Sequence, residues 1–373
     1  MKVLYITTIG STMGFFTSYI HELITQGHTV DIASNLEAGK VQDCYREWGC
    51  KTFQISTSRS PFSPGNIKAV GQIKKLVEEG GYDIVHCHTP IAAACTRLAC
   101  SGLRKKGVKV IYTAHGFHFY SGAPKKNWLI FYTVEKICAR WTDLLITINK
   151  EDYARAQKKI HAHKVAYVPG VGIDVKKFAD TQIDRAAKRA ELGVPEGAFL
   201  LCSVGELNAN KNHETVIRAM AQLNRENMHY MIAGMGDKKD YLLQLAQELG
   251  LAEKLHLLGY RKDVAELYKA ADLFVFPSFR EGLPVSVMEA MAAGLPVVAS
   301  RIRGNVDMIE GNGGILCDPS DSKAFADAIK KFAEDPQLCM RSGQQNADAA
   351  KDVDKSQING IMHQLYENVM RIK

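Results

Sequence analysis

The chain has 373 residues, and single hydrophobic cores stop growing near ~250–300 residues, so two domains are expected. Apolar residues make up 46% and charged residues 23%, ordinary values for a globular protein, and no run of about 18 apolar residues exists to span a bilayer. The net charge of +7 is lopsided: residues 1–180 carry 24 Lys and Arg against 14 Asp and Glu, and the remainder carry 23 against 26. A basic first half, densest at Arg104, Lys105, Lys106, Lys109, Lys125 and Lys126, points to an anionic partner such as a membrane surface, with a solvated face as the alternative. The nine cysteines are scattered through apolar segments with no C-x-x-C, which reads as reduced core thiols in a cytosolic protein. The opening MKVLYITTIG has too short an apolar run for a signal peptide.

In chain order, apolar runs at 3–7, 30–33, 52–55, 84–87, 108–113, 144–148 and 165–168 predict strands separated by helical spacing, the pattern of a doubly wound parallel sheet. The turn from Thr7 to Gly14 holds Gly10 and Gly14 ahead of a helix near 15–26. Glycine lets backbone approach a ligand and a helix start offers N–H donors, although a structural turn accounts for each glycine as well. The turn is not G-x-G-x-x-G, and Ser34-Asn35 stands where a dinucleotide fold needs an acid for the ribose, which argues against a dinucleotide oxidoreductase.

His86 and His88 end the fourth strand on one face; a metal would need a third ligand, and none is evident. His115, in His115-Gly116-Phe117-His118, follows the next strand in a loop that should reach the ligand side of the sheet. A packed, hydrogen-bonded histidine is the plain alternative. From Pro124 to Trp141, Lys125, Lys126, Trp128, Phe131 and Tyr132 recur with helical spacing, which suits a helix lying on lipid headgroups or one covering the sheet. Pro169-Gly170-Val171-Gly172 has the composition of a hinge.

A polar helix near 185–192 follows, and the alternation restarts with strands predicted at 199–204, 230–233, 255–258, 273–276, 297–299 and 315–317. Gly205 and Glu206 open the turn after the first of these, and Lys211 near the following helix start can neutralise phosphate as a point charge. An exposed loop lysine is the alternative. Gly234 ends the next strand and Arg261 follows the one after. Asp352-Val353-Asp354, the only D-x-D, has no strand before it and reads as solvated linker rather than a metal site. In the last segment, Ile358, Ile361, Met362, Leu365, Tyr366 and Val369 form a helical stripe with one buried face.

The most informative stretch is Leu273 to Ser300, LFVFPSFREGLPVSVMEAMAAGLPVVAS, read as strand, loop, helix opening near Pro284 or Val285, and strand. Glu281 lies in the loop and Glu289 one turn inside the helix. A helix start suits a diphosphate, and carboxylates beside it would repel that group unless they face sugar hydroxyls. The stretch therefore reads as a seat for a sugar nucleotide. The plain alternative is a capping box with Ser286 as N-cap and Glu289 reaching back to it, and Glu281 as a surface acid.

Glu281 and Glu289, with seven residues between them in EGLPVSVMEAMAAGLPVVAS, resemble the E-x7-E motif of family-4 glycosyltransferases, retaining enzymes of the α/β GT-B fold. The resemblance covers nearly the whole chain, and TAHGFHF (Thr113 to Phe119) and VPGVGID (Val168 to Asp174) make it closer to the bacterial capsule and exopolysaccharide branch. It implies two Rossmann-like domains facing a central cleft, residues 1–172 binding the acceptor and residues 173–355 the donor, with a terminal helix of about 356–373 crossing back to the first domain. It implies that Glu281 contacts the donor sugar, Glu289 the ribose, and the Gly282, Leu283, Pro284 and Val285 backbone the diphosphate and sugar. His115 becomes an active-site residue touching donor sugar or acceptor, Gly10 and Gly14 lie beside the diphosphate, and Gly205, Lys211, Gly234 and Arg261 border the nucleotide. Many members carry Arg where Glu206 stands; that departure leaves Arg280, Arg301 or Arg303 to compensate.

The expectation is thus a retaining enzyme, free of metal and other cofactors, that moves a hexose or N-acetylhexosamine from a UDP-sugar to a lipid-linked saccharide. It would work in the cytoplasm, peripherally on the inner face of the cell membrane, with no nucleic-acid partner. A non-hydrolysing UDP-sugar epimerase and a catalytically silent sugar-nucleotide-binding module are the rival readings.

Overall fold

The computed structural model describes every residue except Asn312 and Lys373. The chain forms two compact units, Met1–Val171 with Lys355–Lys373, and Gly172–Asp354. The chain passes between them at Val171–Gly172, where Gly170 and Gly172 have φ of 85° and 75°, backbone that glycine adopts without a Cβ penalty.

The first unit is built on a seven-stranded sheet in the order β3-β2-β1-β4-β5-β6-β7. The strands are β1 (Lys2–Ile9), β2 (Thr29–Asn35), β3 (Thr52–Gln54), β4 (Ile84–His88), β5 (Lys109–Ala114), β6 (Leu144–Thr147) and β7 (Lys164–Tyr167). All are parallel neighbours. Parallel strands are covered on both faces, which is why β4, Ile-Val-His-Cys-His, is buried at every residue. The C-terminal helix Lys355–Met370 covers part of one face by burying Ile358, Met362, Tyr366 and Val369 with Val3, Tyr5 and Ile20, the stripe expected from its spacing.

The second unit carries a six-stranded parallel sheet in the order β10-β9-β8-β11-β12-β13. Its strands are β8 (Phe199–Val204), β9 (Met228–Ala233), β10 (Leu255–Gly259), β11 (Leu273–Phe276), β12 (Val297–Ser300) and β13 (Gly314–Cys317). In both sheets the strand order reverses once, between β1 and β4 and between β8 and β11. In open α/β sheets, ligands bind outside the carboxyl ends of the strands at such a switch point.

Asp352-Val353-Asp354 is not a solvated linker. Val353 is buried and its carbonyl accepts from the Ile173 N–H at 3.0 Å, while the Asp354 carboxylate accepts from the Val175 N–H at 3.2 Å. The segment ties the end of the second unit to its beginning.

Candidate active site

At the switch point of the second sheet, the loop after β8 and the loop after β11 are bound together residue by residue. Phe279 N–H donates to the Asn210 carbonyl at 2.8 Å, Asn210 Nδ2 donates to the Arg280 carbonyl at 3.0 Å, and Asn212 Nδ2 donates to the Pro277 carbonyl at 3.0 Å. Asn212 sits at φ 55°, a left-handed conformation that asparagine tolerates better than most residues and that its bonds to Pro277 and Pro319 hold in place. The result brings Lys211 Nζ to 2.8 Å from Glu281 Oε1. Both side chains are below one-fifth exposed, at 18% and 17%, and the ammonium also lies 4.8 Å from the centre of the Phe276 ring.

An ammonium has three donors, so Glu281 leaves Lys211 two for another anion. Gly205 makes room for this lysine: a Cβ there would stand 3.1 Å from Lys211 Cε. Gly234 serves a different purpose, since its Cβ would come within 1.8 Å of the Gly205 carbonyl oxygen. What Gly234 admits is the neighbouring turn of the protein. Glu206 is exposed and accepts from Asn208 Nδ2 at 2.8 Å.

The helix Val285–Ala292 begins at Pro284 with no side-chain cap, so the Gly282-Leu283-Pro284-Val285 segment leads directly to its first N–H groups. The capping-box alternative fails: Ser286 lies inside the helix, and Glu289 Oε2 instead accepts from Tyr268 OH at 3.0 Å. Burial pushes the Glu289 carboxyl up to about 7, with the tyrosine hydrogen bond opposing that rise. Of the three arginines considered for phosphate, Arg303 Nε donates to the Glu281 carbonyl at 3.0 Å, Arg301 pairs with Glu310 at 3.0 Å, and Arg280 is exposed. Arg261 is engaged elsewhere: its guanidinium bridges Asp263 and Glu191, at 2.5 and 2.9 Å, in a network completed by Lys188 on Asp263, Glu191 and Glu266.

In the first unit, the glycine turn after β1 is a 3-10 helix, Gly10–Phe16, leading into the helix Thr17–Thr25. A Cβ on Gly10 would meet the Gly39 carbonyl oxygen at 2.1 Å, so its missing side chain accommodates the protein's own loop and not a ligand. Gly14 is exposed at the far end of the turn. Across the switch point, β4 and β5 end in a row of histidines. His86 Nδ1 lies 2.6 Å from Tyr366 OH and Nε2 lies 2.8 Å from Thr113 Oγ1, while His88 Nδ1 is 3.1 Å from His115 Nε2. Burial lowers all three, His86 to about 3, His115 to about 4 and His88 well below the usual range, so all three are neutral near pH 7. No group of three side chains arranged to hold a metal occurs among the described residues.

The description Glycosyl transferases group 1 matches residues 184–349, and Glycosyl transferase 4-like matches residues 2–149. EpsD of Bacillus subtilis (strain 168) is 36% identical over 99% of this chain and 97% of its own length. An Escherichia coli protein named UDP-Gal:alpha-D-GlcNAc-diphosphoundecaprenol alpha-1,3-galactosyltransferase is 30% identical over 82% of this chain and 80% of its own length. The chain belongs to the family-4 glycosyltransferases. Its GT-B architecture agrees with that of Anabaena HepE in complex with UDP, with a TM-score of 0.82 at 21% identity over 99% of this chain and 100% of that one.

In this glycosyltransferase the two sheets divide the candidate residues: Gly10, Gly14 and His115 stand in the first unit and the others in the second. The residues missed by reading the sequence are those that hold the candidates in place, chiefly Asn210, Asn212, Tyr268 and His88. His88 alone has a signal in the sequence, its place two positions from His86 at a strand end.

Proposed function

We propose that this glycosyltransferase moves a hexose or N-acetylhexosamine, with retention of configuration, from a UDP-sugar to a lipid-linked saccharide. The observation that carries the proposal is the Lys211–Glu281 pair, 2.8 Å apart at the strand-order reversal of the second sheet. The two remaining Lys211 donors and the first N–H groups of the Val285–Ala292 helix meet the diphosphate, whose charge grows as the sugar leaves. Fixed donors aimed at developing charge are commonly the largest catalytic term, and this arrangement supplies them without a metal ion. Glu281 orients the sugar hydroxyls, Glu289 accepts from the ribose, and His115 faces the sugar or the acceptor, so that residues 173–355 hold the donor and residues 1–172 the acceptor.

Retention is supported by the name of the Escherichia coli relative, which couples UDP-Gal to an alpha-linked product; UDP-galactose is itself an α-glycoside. That name also supports a diphospholipid-linked acceptor. A membrane-facing surface is supported by the helical segment from Lys125 to Trp141. Trp128, Phe131 and Tyr132 pack on the buried cluster of the first unit that holds Phe117 and Phe119, whereas Leu129, 75% exposed, Ile130, Val134 and Ile137 face outward among Lys125, Lys126, Lys136 and Arg140. This mixture of exposed apolar and basic side chains suits an interfacial helix, and we place the enzyme peripherally at the cytoplasmic membrane face. No helix among the described residues is long and apolar enough to cross a membrane.

The test is incubation with UDP-galactose, UDP-glucose and UDP-N-acetylglucosamine, with and without a bacterial lipid extract, followed by UDP release and mass spectrometry of the lipids. Acceptor-dependent release with a glycosylated lipid is expected. Donor isomerisation alone would make the protein an epimerase, and tight binding without either would make it a silent module. Vesicles rich in anionic lipid should retain the protein and release part of it in high salt, and equal retention on neutral vesicles would remove the basic residues from the docking surface.

A further inference from the structure

The proposed chemistry uses only His115 of the histidine row, and of the other two one has a ring nitrogen that no hydrogen bond among the described residues accounts for. His86 and His88 lie two residues apart on β4 and so point to the same face of the sheet. Both His86 nitrogens are taken, by Tyr366 of the C-terminal helix and by Thr113. His88 is only 2% exposed. It stacks on the Phe16 ring, with centroids 4.0 Å apart, and packs against the tilted His86 ring at 4.1 Å. Among the described residues its ring makes one hydrogen-bonding contact, Nδ1 to His115 Nε2 at 3.1 Å, and its Nε2 makes none. It lines a cavity of about 40 Å³ together with Phe16, Tyr19, Ile146 and Met362.

A ring stacked on one aromatic neighbour, packed against a second and bonded at one nitrogen cannot turn without losing that bond and its stacking. Each neutral imidazole carries one proton. Buried N–H groups lacking an acceptor are rarer than bare acceptors, which puts the His88 proton on Nδ1, the atom that faces His115. His115 Nε2 then accepts, and the one proton of His115 must sit on Nδ1.

We infer that His88 is a positioning residue for His115: it occupies His115 Nε2, fixes the ring, and makes Nδ1–H the donor that His115 presents to the reactants. The inference rests on the proposed active-site role of His115. No proton is transferred in it. His88 sets which nitrogen of its neighbour carries the proton, as outer partners do for other functional histidines.

Three variants and one spectrum test it. In long-range nitrogen–proton correlation spectra of protein labelled with ¹⁵N-histidine, wild-type His115 should show the Nδ1–H tautomer. His88→Phe fills the stacked space but removes the donor. It should shift His115 toward the other tautomer and lower kcat about 10- to 100-fold, the usual cost of losing such an outer partner, with KM for UDP-galactose little changed. His88→Asn places an amide donor where Nδ1 stood and should restore most of the lost kcat and the native tautomer. Unchanged spectra and kcat in His88→Phe would overturn the inference, as would a kcat loss that tracks a lower Tm equally in both His88 variants. His115→Ala separates the two layers. Full turnover there removes the underlying role of His115, whereas lost turnover in His115→Ala beside normal turnover in His88→Phe removes the inference about His88 alone.

Discussion

The two switch points are built from the same architecture and opposite electrostatics. After β8 and β11 the side chains that meet are charged and partly open to solvent, an ammonium against a carboxylate with an uncapped helix start nearby. Beside the first sheet's reversal, at the ends of β4 and β5, they are neutral imidazoles, which burial keeps unprotonated. A charged, wet site suits a diphosphate, because its partners remain solvated until the ligand replaces water. A dry, neutral site can donate or accept toward a hydroxyl without attracting or repelling charge. Under the proposed function, the phosphate chemistry falls to the second sheet and the hydroxyl chemistry to the first.

The most severe way to break it is Glu281→Ala. Turnover should fall at least about 100-fold, the cost of removing a transition-state contact, while UDP binds as well or better because Lys211 loses its competitor. Weaker UDP binding in that variant, with circular dichroism unchanged, would mean Glu281 supports the phosphate side and not the sugar. Next in size is Lys211→Ala. Hydrogen bonds to charged groups contribute about 1.5–3 kcal/mol, so calorimetric UDP affinity should drop roughly 10- to 100-fold, and an unchanged value would relocate the phosphate seat.

Acid sharpens the neutral half of the comparison. Histidines whose folded pKa lies below the ordinary value near 6.5 bind fewer protons in the folded than in the unfolded chain between that value and about 4. Stability from this source is therefore intact above pH 6.5 and declines as pH falls through the window. Burial also lowers His213, His229 and His256 in the second unit, so both units contribute: thermal melts from pH 7 to pH 5 should show Tm falling, and a Tm that holds or rises would contradict the neutral state of these rings.

The smallest effect concerns Glu289, the acid that behaves least like its neighbours. Its folded pKa of about 7 lies above the ordinary 4.5. The folded protein thus binds the extra proton between those values, and stability declines as pH rises from 4.5 to about 7, the cost being complete above 7. Glu289→Gln should therefore raise Tm by a few degrees at pH 8, at about 2–4 °C per kcal/mol, and leave it unchanged at pH 4. It should also weaken donor binding, and a variant neither stabilised at pH 8 nor weaker for UDP would leave Glu289 without either role.

Much of the molecule was legible in one dimension. All thirteen strands stand where apolar runs placed them, because a buried parallel strand leaves a local signature of β-branched and apolar residues. The helix opening at Val285 and the stripe on the C-terminal helix were equally local. Glu281, Lys211 and His115 were marked by lying in loops that follow strands, where the fold presents side chains to ligands, and Glu289 by its place one turn inside the helix after β11.

The partners of those residues were settled only by the tertiary structure. Lys211 and Glu281 are separated by 70 positions, and His86 and Tyr366 by 280. Such meetings depend on strand order and crossover, which no local period encodes. The same reason left two alternatives open in the sequence: Gly10 admits a loop 29 residues away at Gly39, and Glu289, with a serine three positions back, takes a tyrosine from another helix. Residue type and spacing determined which side chains could do chemistry; the order of strands in each sheet decided which of them met, because it alone sets distances between segments far apart in the chain.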